Sequence, residues 1–402
     1  LVGGCLRDLL LKRAVRDWDI ITDAQPENLE MVFGKYKTIV IGKHFLTVTV
    51  IINKKIYQIS SLKNNQEQKM SDNKERIFHK LKEDLMSRDF TINSICWNQY
   101  AGMLDPVNGL NGLSRKIIRS NLPYLRFKED PLRMLRAIRL SCELGFSIES
   151  LTKKELYRNA FLIQKISPER IRNEIILILE SPNTKRGVLF LYHYSLFRYI
   201  FTLDRIKKRE INQEKLNNSF LPGLEREKND LAIQLALLGR VFYVSCKTAS
   251  VFYLPIIKYL KFKKKTIETV KLLLSKEWEC IDFGSGINIR YLLAKLGEKN
   301  ARRLFLLKKV LFEAKGNEFQ KNNLKIEESL LEDEIKKSPP VALGDLAING
   351  NDVRRIGISE GKDIGIILKS ALEEIIINPD NNKKDYLLKY IKKIIKKKNY
   401  MI

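Results

Sequence analysis

Apolar and polar positions change their rhythm once along this chain, at about residue 122. Before it, short β-branched runs alternate with helical patterns. Ile39-Val40-Ile41, Val48-Thr49-Val50-Ile51-Ile52 and Ile56-Tyr57-Gln58-Ile59 have strand character, and the last two are separated by a turn at Asn53-Lys54-Lys55. Leu1-Val2 reads as the end of a strand already under way, an expectation of an N-terminally trimmed chain. The stretch from Asn64 to Lys74 is polar and aperiodic and predicts a loop. After residue 123 the spacing becomes helical. Asp130-Pro131 and Ser167-Pro168-Glu169 are helix starts of the cap-then-proline kind, and helical stretches follow around 186–201, 228–245, 265–276 and 289–314. A charged region (315–340) ends in Pro339-Pro340, a candidate hinge, and a glycine-punctuated segment leads to a final Lys-rich helix. The pattern predicts an α+β head with a mixed sheet over 1–122, then an all-helical neck (123–185), body (186–335) and tail (336–402).

Composition narrows the partners. Lys and Arg number 73 against 47 Asp and Glu, a formal charge of +26, so a polyanion is the expected partner. The 44% hydrophobic content argues for packed cores. Every greasy stretch is interrupted by Lys or Arg, so no membrane span is predicted. The five cysteines form no CxxC pair, which excludes a disulfide framework or a cysteine-rich zinc site and fits a reducing, cytoplasmic compartment. Three histidines are too few for a histidine-caged metal.

The chemistry concentrates near the N-terminus. Gly3-Gly4 between a strand and a helix lets backbone N–H groups approach an anion, and Arg7 lies one turn further on, placed to contact phosphate. Asp17 and Asp19 are two apart, so on a strand both carboxylates leave the same face. Two such charges are costly side by side without a cation between them, and Mg²⁺, which shares carboxylates with substrate phosphates, is the natural one. Further on, Glu129, Arg133 and Arg136 fall on one stripe of a helix begun at Asp130, with Leu132, Leu135 and Ile138 turned to packing. Arg170 and Glu174, an i,i+4 pair, are expected to brace that helix.

Together these runs resemble the class II tRNA nucleotidyltransferases (CCA-adding enzymes) and their bacterial poly(A) polymerase relatives, of the polymerase-β superfamily. Gly3-Gly4 through Asp17-Trp18-Asp19 is similar to motif A, and Ser87-Arg88-Asp89-Phe90-Thr91-Ile92-Asn93 to motif B. Asp105-Pro106-Val107-Asn108-Gly109 resembles motif C, Glu129-Asp130-Pro131-Leu132-Arg133 through Arg136 and Arg139 motif D, and Ser167 through Glu174 motif E. The resemblance implies that Asp17 and Asp19 bind Mg²⁺, that Gly3, Gly4 and Arg7 hold a triphosphate, and that Arg88 and Asp89 face the ribose. It also places Asp130 and Arg133 on the Watson–Crick edge of the incoming base, with Arg136 and Arg139 in the same nucleotide-binding set. A carboxylate beside a guanidinium suits cytosine and adenine, which both offer an amino donor next to a ring acceptor. Guanine and uracil present the opposite order and would leave polar groups unpaired, at about 1–3 kcal/mol each.

The implied activity is template-independent addition of C, C and A to the 3′ end of tRNA from CTP and ATP, with pyrophosphate released. Poly(A) polymerase and A-adding-only enzymes share these motifs. The CC-adding subtype is disfavoured, because the segment between Ser61 and Ser87 is near full length. Gln58 stands where such enzymes commonly carry a carboxylate, which motivates a non-enzyme alternative, a catalytically decayed RNA-binding protein; retention of Asp17 and Asp19 speaks against it. Lysines cluster at 258–265, near Tyr259 and Phe262, and again at 383–398, among Tyr386, Tyr390 and Tyr400. These clusters are expected to follow an RNA backbone.

Overall fold

A computed structural model describes residues 1–40, 47–62, 73–201, 221–226, 229–242, 251, 253–275, 278, 283–315, 318–358 and 361–397. Ile41, the 42–46 stretch, most of the loop predicted from Asn64, Lys398 and Tyr400 lie outside these residues. The chain divides into two compact units, Leu1–Lys207 and Lys208–Ile402.

The first unit opens with α1 (Gly3–Leu10), β1 (Asp17–Thr22) and α2 (Pro26–Phe33). β2 (Lys37–Val40), β3 (Thr47–Ile52) and β4 (Lys55–Ser61) complete a four-stranded sheet in the order β1-β4-β3-β2. β1 and β4 are parallel, and the other two pairings are antiparallel, so the sheet is mixed as expected. Asn53 and Lys54 both take positive φ (48° and 64°), the geometry of a tight hairpin whose twist matches the strands. Alternation gives the sheet two unlike faces. Leu29 of α2 packs with Val48, Val50 and Ile59, flanked by Ile20, Ile52 and Tyr57. On the opposite face stand Asp17, Asp19, Thr49 and Gln58, with Asp19 level with Gln58 and Gln58 level with Thr49.

The opening dipeptide is less than a strand. Val2 makes a single bridge to Cys96, and its N–H donates to the Asp19 carbonyl at 3.0 Å. After α3 (Asn73–Ser87) the chain forms a 3-10 turn at Thr91–Asn93, in and around which Ile92, Phe90 and Ile95 are fully buried. A hairpin of β5 (Cys96–Asn98) and β6 (Gly102–Leu104) follows, then α4 (Gly109–Ser114) and β7 (Ile117–Ile118). The Asp105 carboxylate accepts from the N–H groups of Gly109 (2.6 Å) and Leu110 (2.9 Å), which caps α4. A Cβ at Gly109 would lie 2.2 Å from the Thr91 carbonyl oxygen, so this position requires glycine.

Helices then dominate: α5 (Pro123–Glu129), α6 (Leu132–Leu144), α7 (Ser150–Asn159), α8 (Pro168–Leu179), α9 (Thr184–His193) and α10 (Leu196–Phe201). One short departure from an all-helical neck is β8 (Ser147–Ile148), parallel to β7. The helix start expected at Asp130-Pro131 is found, and Glu129 belongs to the preceding α5 rather than to α6. Asp130 is extended (φ −140°, ψ 97°), its backbone ends α5, and its carboxylate accepts from Leu132 N–H at 3.2 Å as α6 begins. Leu132, Leu135 and Ile138 are buried, as the periodicity predicts.

In the second unit every described regular element is a helix. Residues Gly286–Lys315 form a long helix interrupted at Gly297 (φ 71°, ψ 160°), which splits the predicted 289–314 stretch. The charged region is largely helix as well, Glu318–Lys336, running antiparallel to the last part of the long helix through the pairs Lys308–Glu327, Lys309–Glu328 and Arg302–Glu332. The C-terminal helix Lys384–Lys397 buries Leu387, Ile391 and Ile395 and exposes Lys389, Lys392, Lys393 and Lys396. Lys384 is ion-paired to Asp352 at 2.8 Å. Near the other basic cluster Tyr259 is exposed, but Phe262 is buried and is not available for stacking.

Candidate active site

The polar face of the sheet meets the start of α1. Gly3 takes φ +76°, and a Cβ there would lie 2.9 Å from Arg88 Nη1 and 3.2 Å from Asp19 Oδ2. The first glycine therefore lets a strand carboxylate and an arginine from beyond α3 stand against the helix start. The N–H groups expected to face an anion are already occupied. Gly3 N–H donates to the Ile95 carbonyl at 3.4 Å, and the Gly4 N–H donates to the Asp19 carboxylate. Glycine here provides close approach more than free donors.

Asp17 is exposed and Asp19 half-buried. Burial pushes the Asp19 carboxyl above its ordinary value; Arg88 pulls it down, and the neighbouring Asp17 pushes it further up. Arg88 also donates to Asp84 Oδ2 at 3.1 Å, one turn back on α3. Trp18, on the other side of the strand, stacks on Tyr57 at 6.4 Å between ring centroids.

Arg7 does not project into the open. It is 8% exposed, donates twice to its neighbour Asp8 at 2.9 Å, and donates through Nη1 to Asn93 Oδ1 at 2.9 Å. The amide of Asn93 then donates to Asp89 Oδ1 at 3.2 Å, and Asp89 Oδ2 pairs with Arg136 Nη2 at 2.7 Å. Thus Gly3, Gly4, Arg7, Asp17, Asp19, Arg88, Asp89 and Arg136 form one cluster. Asn93 and Asp84 belong to it too, and the sequence reading missed both. The signal for Asn93 was an amide inside a run (Phe90 to Ile95) whose apolar members are all buried.

A second cluster surrounds Asp130. Arg133 pairs with Glu129 at 2.8 Å, and Arg126 donates to both oxygens of Glu129 at 2.8 Å. Hydrogen bonds from Arg126, reinforced by Arg133, hold the Glu129 carboxyl below the usual carboxylate value despite the small opposing effect of burial. Arg170 and Glu174 both reach α6 and its cap: Arg170 Nη2 donates to Asp130 Oδ2 at 2.9 Å, and Glu174 Oε2 accepts from Arg139 Nε at 2.8 Å. Arg139 also binds Glu143. Arg139 is engaged away from Asp130 and Arg133, holding α6 to α8. The expected stripe of Glu129, Arg133 and Arg136 is divided, since Arg136 turns to Asp89. The clusters are joined where Arg126 Nη2 donates to the Met86 carbonyl at 3.1 Å, two residues before Arg88.

No group of three or more His, Cys, Asp or Glu residues among those described is arranged to hold a metal. The donor set at the sheet is two carboxylates, with the neutral Gln58 level with Asp19. Hard oxygen donors few in number fit a cation that completes its shell with water and substrate phosphate. Cys5, Cys96 and Cys142 are buried free thiols. No described helix is long and apolar enough to cross a membrane.

Comparison with known proteins gives these residues a setting. A family model described as the poly A polymerase head domain matches residues 1–119, and one described as the probable RNA and SrmB-binding site of polymerase A matches residues 145–203. The chain is 28% identical over 394 residues to the CCA-adding enzyme of Lactobacillus delbrueckii subsp. bulgaricus, spanning 97% of this chain and 92% of that one. It is 37% identical over 238 residues to the CCA-adding enzyme of Geobacillus stearothermophilus, covering 58% of this chain and 53% of the relative. The crystal structure of the Bacillus stearothermophilus CCA-adding enzyme in complex with CTP superposes with a TM-score of 0.75 at 27% identity, covering 99% of this chain and 93% of that one. Head model, RNA-binding model and relatives matched along the full chain agree: the chain carries the poly A polymerase head over residues 1–119 and is similar throughout to the class II tRNA nucleotidyltransferases and poly(A) polymerases, with their polymerase-β-type head followed by helices.

Proposed function

We infer that this protein is a template-independent RNA nucleotidyltransferase that adds C, C and A to the 3′ end of tRNA from CTP and ATP and releases pyrophosphate. The observation that carries the reading is the pair Asp17 and Asp19 on the polar sheet face, set against Gly3, Gly4 and Arg88, with Asp130 and Arg133 on the helices joined to them. Asp17 and Asp19 would hold Mg²⁺. When bound, Mg²⁺ lowers the pKa of the attacking 3′-hydroxyl and offsets charge on the leaving phosphates.

The protein's own groups do the remaining work. Gly3 and Gly4 leave room for the triphosphate where side chains would stand, and Arg7 fixes that wall from beneath. Arg88 and Asp89 take the ribose, with the Asp89 carboxylate accepting from the 2′-hydroxyl. Asp130 and Arg133 read the base edge, with Arg136 and Arg139 in the same set of arginines. Arg170 and Glu174 hold Asp130 and α6 in register. For the incoming base to be read, Arg133 has to exchange its contact with Glu129 for the nucleotide. The exposed lysines of the C-terminal helix and of 258–265 suit the phosphates of tRNA. The buried free thiols support a cytoplasmic location.

The test is incorporation in Mg²⁺ on a tRNA transcript ending at the discriminator base, with products sized to the nucleotide. CTP alone should add two residues, and CTP with ATP should add three. Asp17→Ala/Asp19→Ala should add none. A long A tract would move the protein to the poly(A) polymerase branch, and A added only after an existing CC would make it an A-adding enzyme. No incorporation by the wild-type chain would overturn the reading.

A further inference from the structure

Among the described residues, the buried amide of Asn93 is the side chain that hydrogen-bonds both Arg7 and Asp89, and its chemistry matches the two demands. Its Oδ1 accepts from Arg7 Nη1 at 2.9 Å, and its Nδ2 donates to Asp89 Oδ1 at 3.2 Å. Asn93 is 7% exposed and sits on the 3-10 turn between Phe90 and Ile95. The same Asp89 oxygen accepts the Phe90 N–H at 2.8 Å. Asp89 Oδ1 therefore has both its acceptor sites filled by neighbours in the chain. Its Oδ2 stands 2.7 Å from Arg136 Nη2 but accepts no aligned hydrogen bond, although it is buried. One oxygen is thus used to fix the carboxylate, and the other retains capacity to accept a hydrogen.

We propose that Asn93 is a positioning residue that couples the triphosphate side of the site to the ribose side, aiming Asp89 Oδ2 at the nucleotide 2′-hydroxyl. Only a side chain with an acceptor and a donor on one rigid plane can satisfy Arg7 and Asp89 together. An aspartate at 93 keeps the acceptor for Arg7 but places a carboxylate against Asp89. An alanine loses both contacts. In either case Asp89 keeps only the Phe90 N–H and Arg136 to fix its carboxylate, and the 2′-hydroxyl meets a less closely aimed partner. The proposal rests on the reading of Asp89 as the ribose contact, and the two can fail separately.

The experiment compares kcat/KM for CTP and dCTP on a tRNA transcript for wild type, Asn93→Ala, Asn93→Asp and Asp89→Asn. Each ratio is taken within one preparation, so a reduced folded fraction cancels; thermal melting monitors the fold independently. Wild type should prefer CTP. Asn93→Asp and Asn93→Ala should lower that preference about tenfold or more, the scale of one charge-assisted hydrogen bond. Asn93→Ala alone should also raise KM for both nucleotides, because it releases Arg7. A merely structural role for Asn93 would reduce both substrates equally and leave the ratio at the wild-type value, which would overturn the proposal. If Asp89→Asn also leaves the ratio unchanged, the ribose reading of Asp89 fails and the proposal falls with it. If Asp89→Asn lowers the ratio while both Asn93 variants keep it, the coupling alone is wrong.

Discussion

Gly3→Ala separates what the fold needs from what the chemistry needs. The backbone at Gly3 has φ +76°, a left-handed conformation that costs an L-residue roughly 1–2 kcal/mol. For a unit of the size of Leu1–Lys207, each kcal/mol moves the midpoint by roughly 2–4 °C, so a fall of about 2–8 °C is expected. The new methyl would lie 2.9 Å from Arg88 Nη1 and 3.2 Å from Asp19 Oδ2. Arg88 is long and can yield by several tenths of an ångström, so the clash adds little to the stability loss. The same movement displaces an arginine and a carboxylate of the proposed site. Misplacement near 1 Å costs on the order of 100-fold in rate, so kcat/KM for CTP should fall by about 10- to 100-fold. Gly4→Ala is the control: its Cβ would be 3.7 Å from the nearest atom, Arg7 Nη2, and its φ is not positive. Its melting point should match wild type. Scanning calorimetry and single-nucleotide incorporation check both variants. Gly3→Ala with wild-type kcat/KM and a lowered midpoint would refute the argument that Asp19 and Arg88 must stand where they do.

Asp19→Asn should abolish incorporation yet melt at or above wild type at neutral pH, since burial and Asp17 both work against the ionised carboxyl there; a lower midpoint would refute that sign. The same raised pKa means that metal-free protein is relieved of this opposition as pH falls through the Asp19 value. Its stability relative to Asp19→Asn should therefore rise on acidification, read as the difference in midpoint between the two proteins from pH 7 downward. Glu174→Gln leaves Arg139, whose side chain is 18% exposed, with Glu143 as its remaining carboxylate, and should destabilise by about 1–3 kcal/mol in urea titrations.

The sequence reading succeeded where the signal was local and periodic. The hairpin at Asn53-Lys54, the two-apart aspartates and the cap at Asp130-Pro131 were legible, because each depends on residues within a few positions of one another. It fell short on which partner a residue takes. Arg170 and Glu174 brace α6 as expected, but each through a contact across the packing interface, to Asp130 and Arg139, rather than through one another. Spacing cannot rank an i,i+4 partner worth a few tenths of a kcal/mol against a partly buried tertiary partner worth more. Arg7 illustrates the same limit. Its position one turn into a helix suggests a free cation, but Asn93, 86 residues away in sequence, takes it into the interior. The charged stretch before Pro339 gave no packing pattern of its own, because beside pairs within its own turns, Lys321–Glu318 and Lys336–Asp333, it is tied to another helix through Lys308–Glu327 and Lys309–Glu328, which spacing along one helix does not reveal.

That failure also identifies how the site is kept in order. Asp17 and Asp19 repel each other, and Asp19 is desolvated as well, so the fold gains nothing from them and must hold them by other means. It does so with arginines bound to carboxylates that are not themselves proposed to touch substrate: Arg7 to Asp8, Arg88 to Asp84, Arg133 to Glu129 and Arg139 to Glu143. Each guanidinium is oriented before a nucleotide arrives, so less side-chain entropy is lost on binding. The exposed pairs among them, Arg133–Glu129 in particular, are weak enough to exchange for a ligand. The buried ones are not, because breaking them would leave a desolvated charge. The side chains of Arg133 and Arg139 are equally buried (19% and 18% exposed), and it is their carboxylates that divide them: Glu129 beside Arg133 is 39% exposed and Glu174 beside Arg139 only 12%, so on the proposed reading Arg133 is the one placed to change partner, whereas Arg139 stays fixed and defines the wall against which that change takes place.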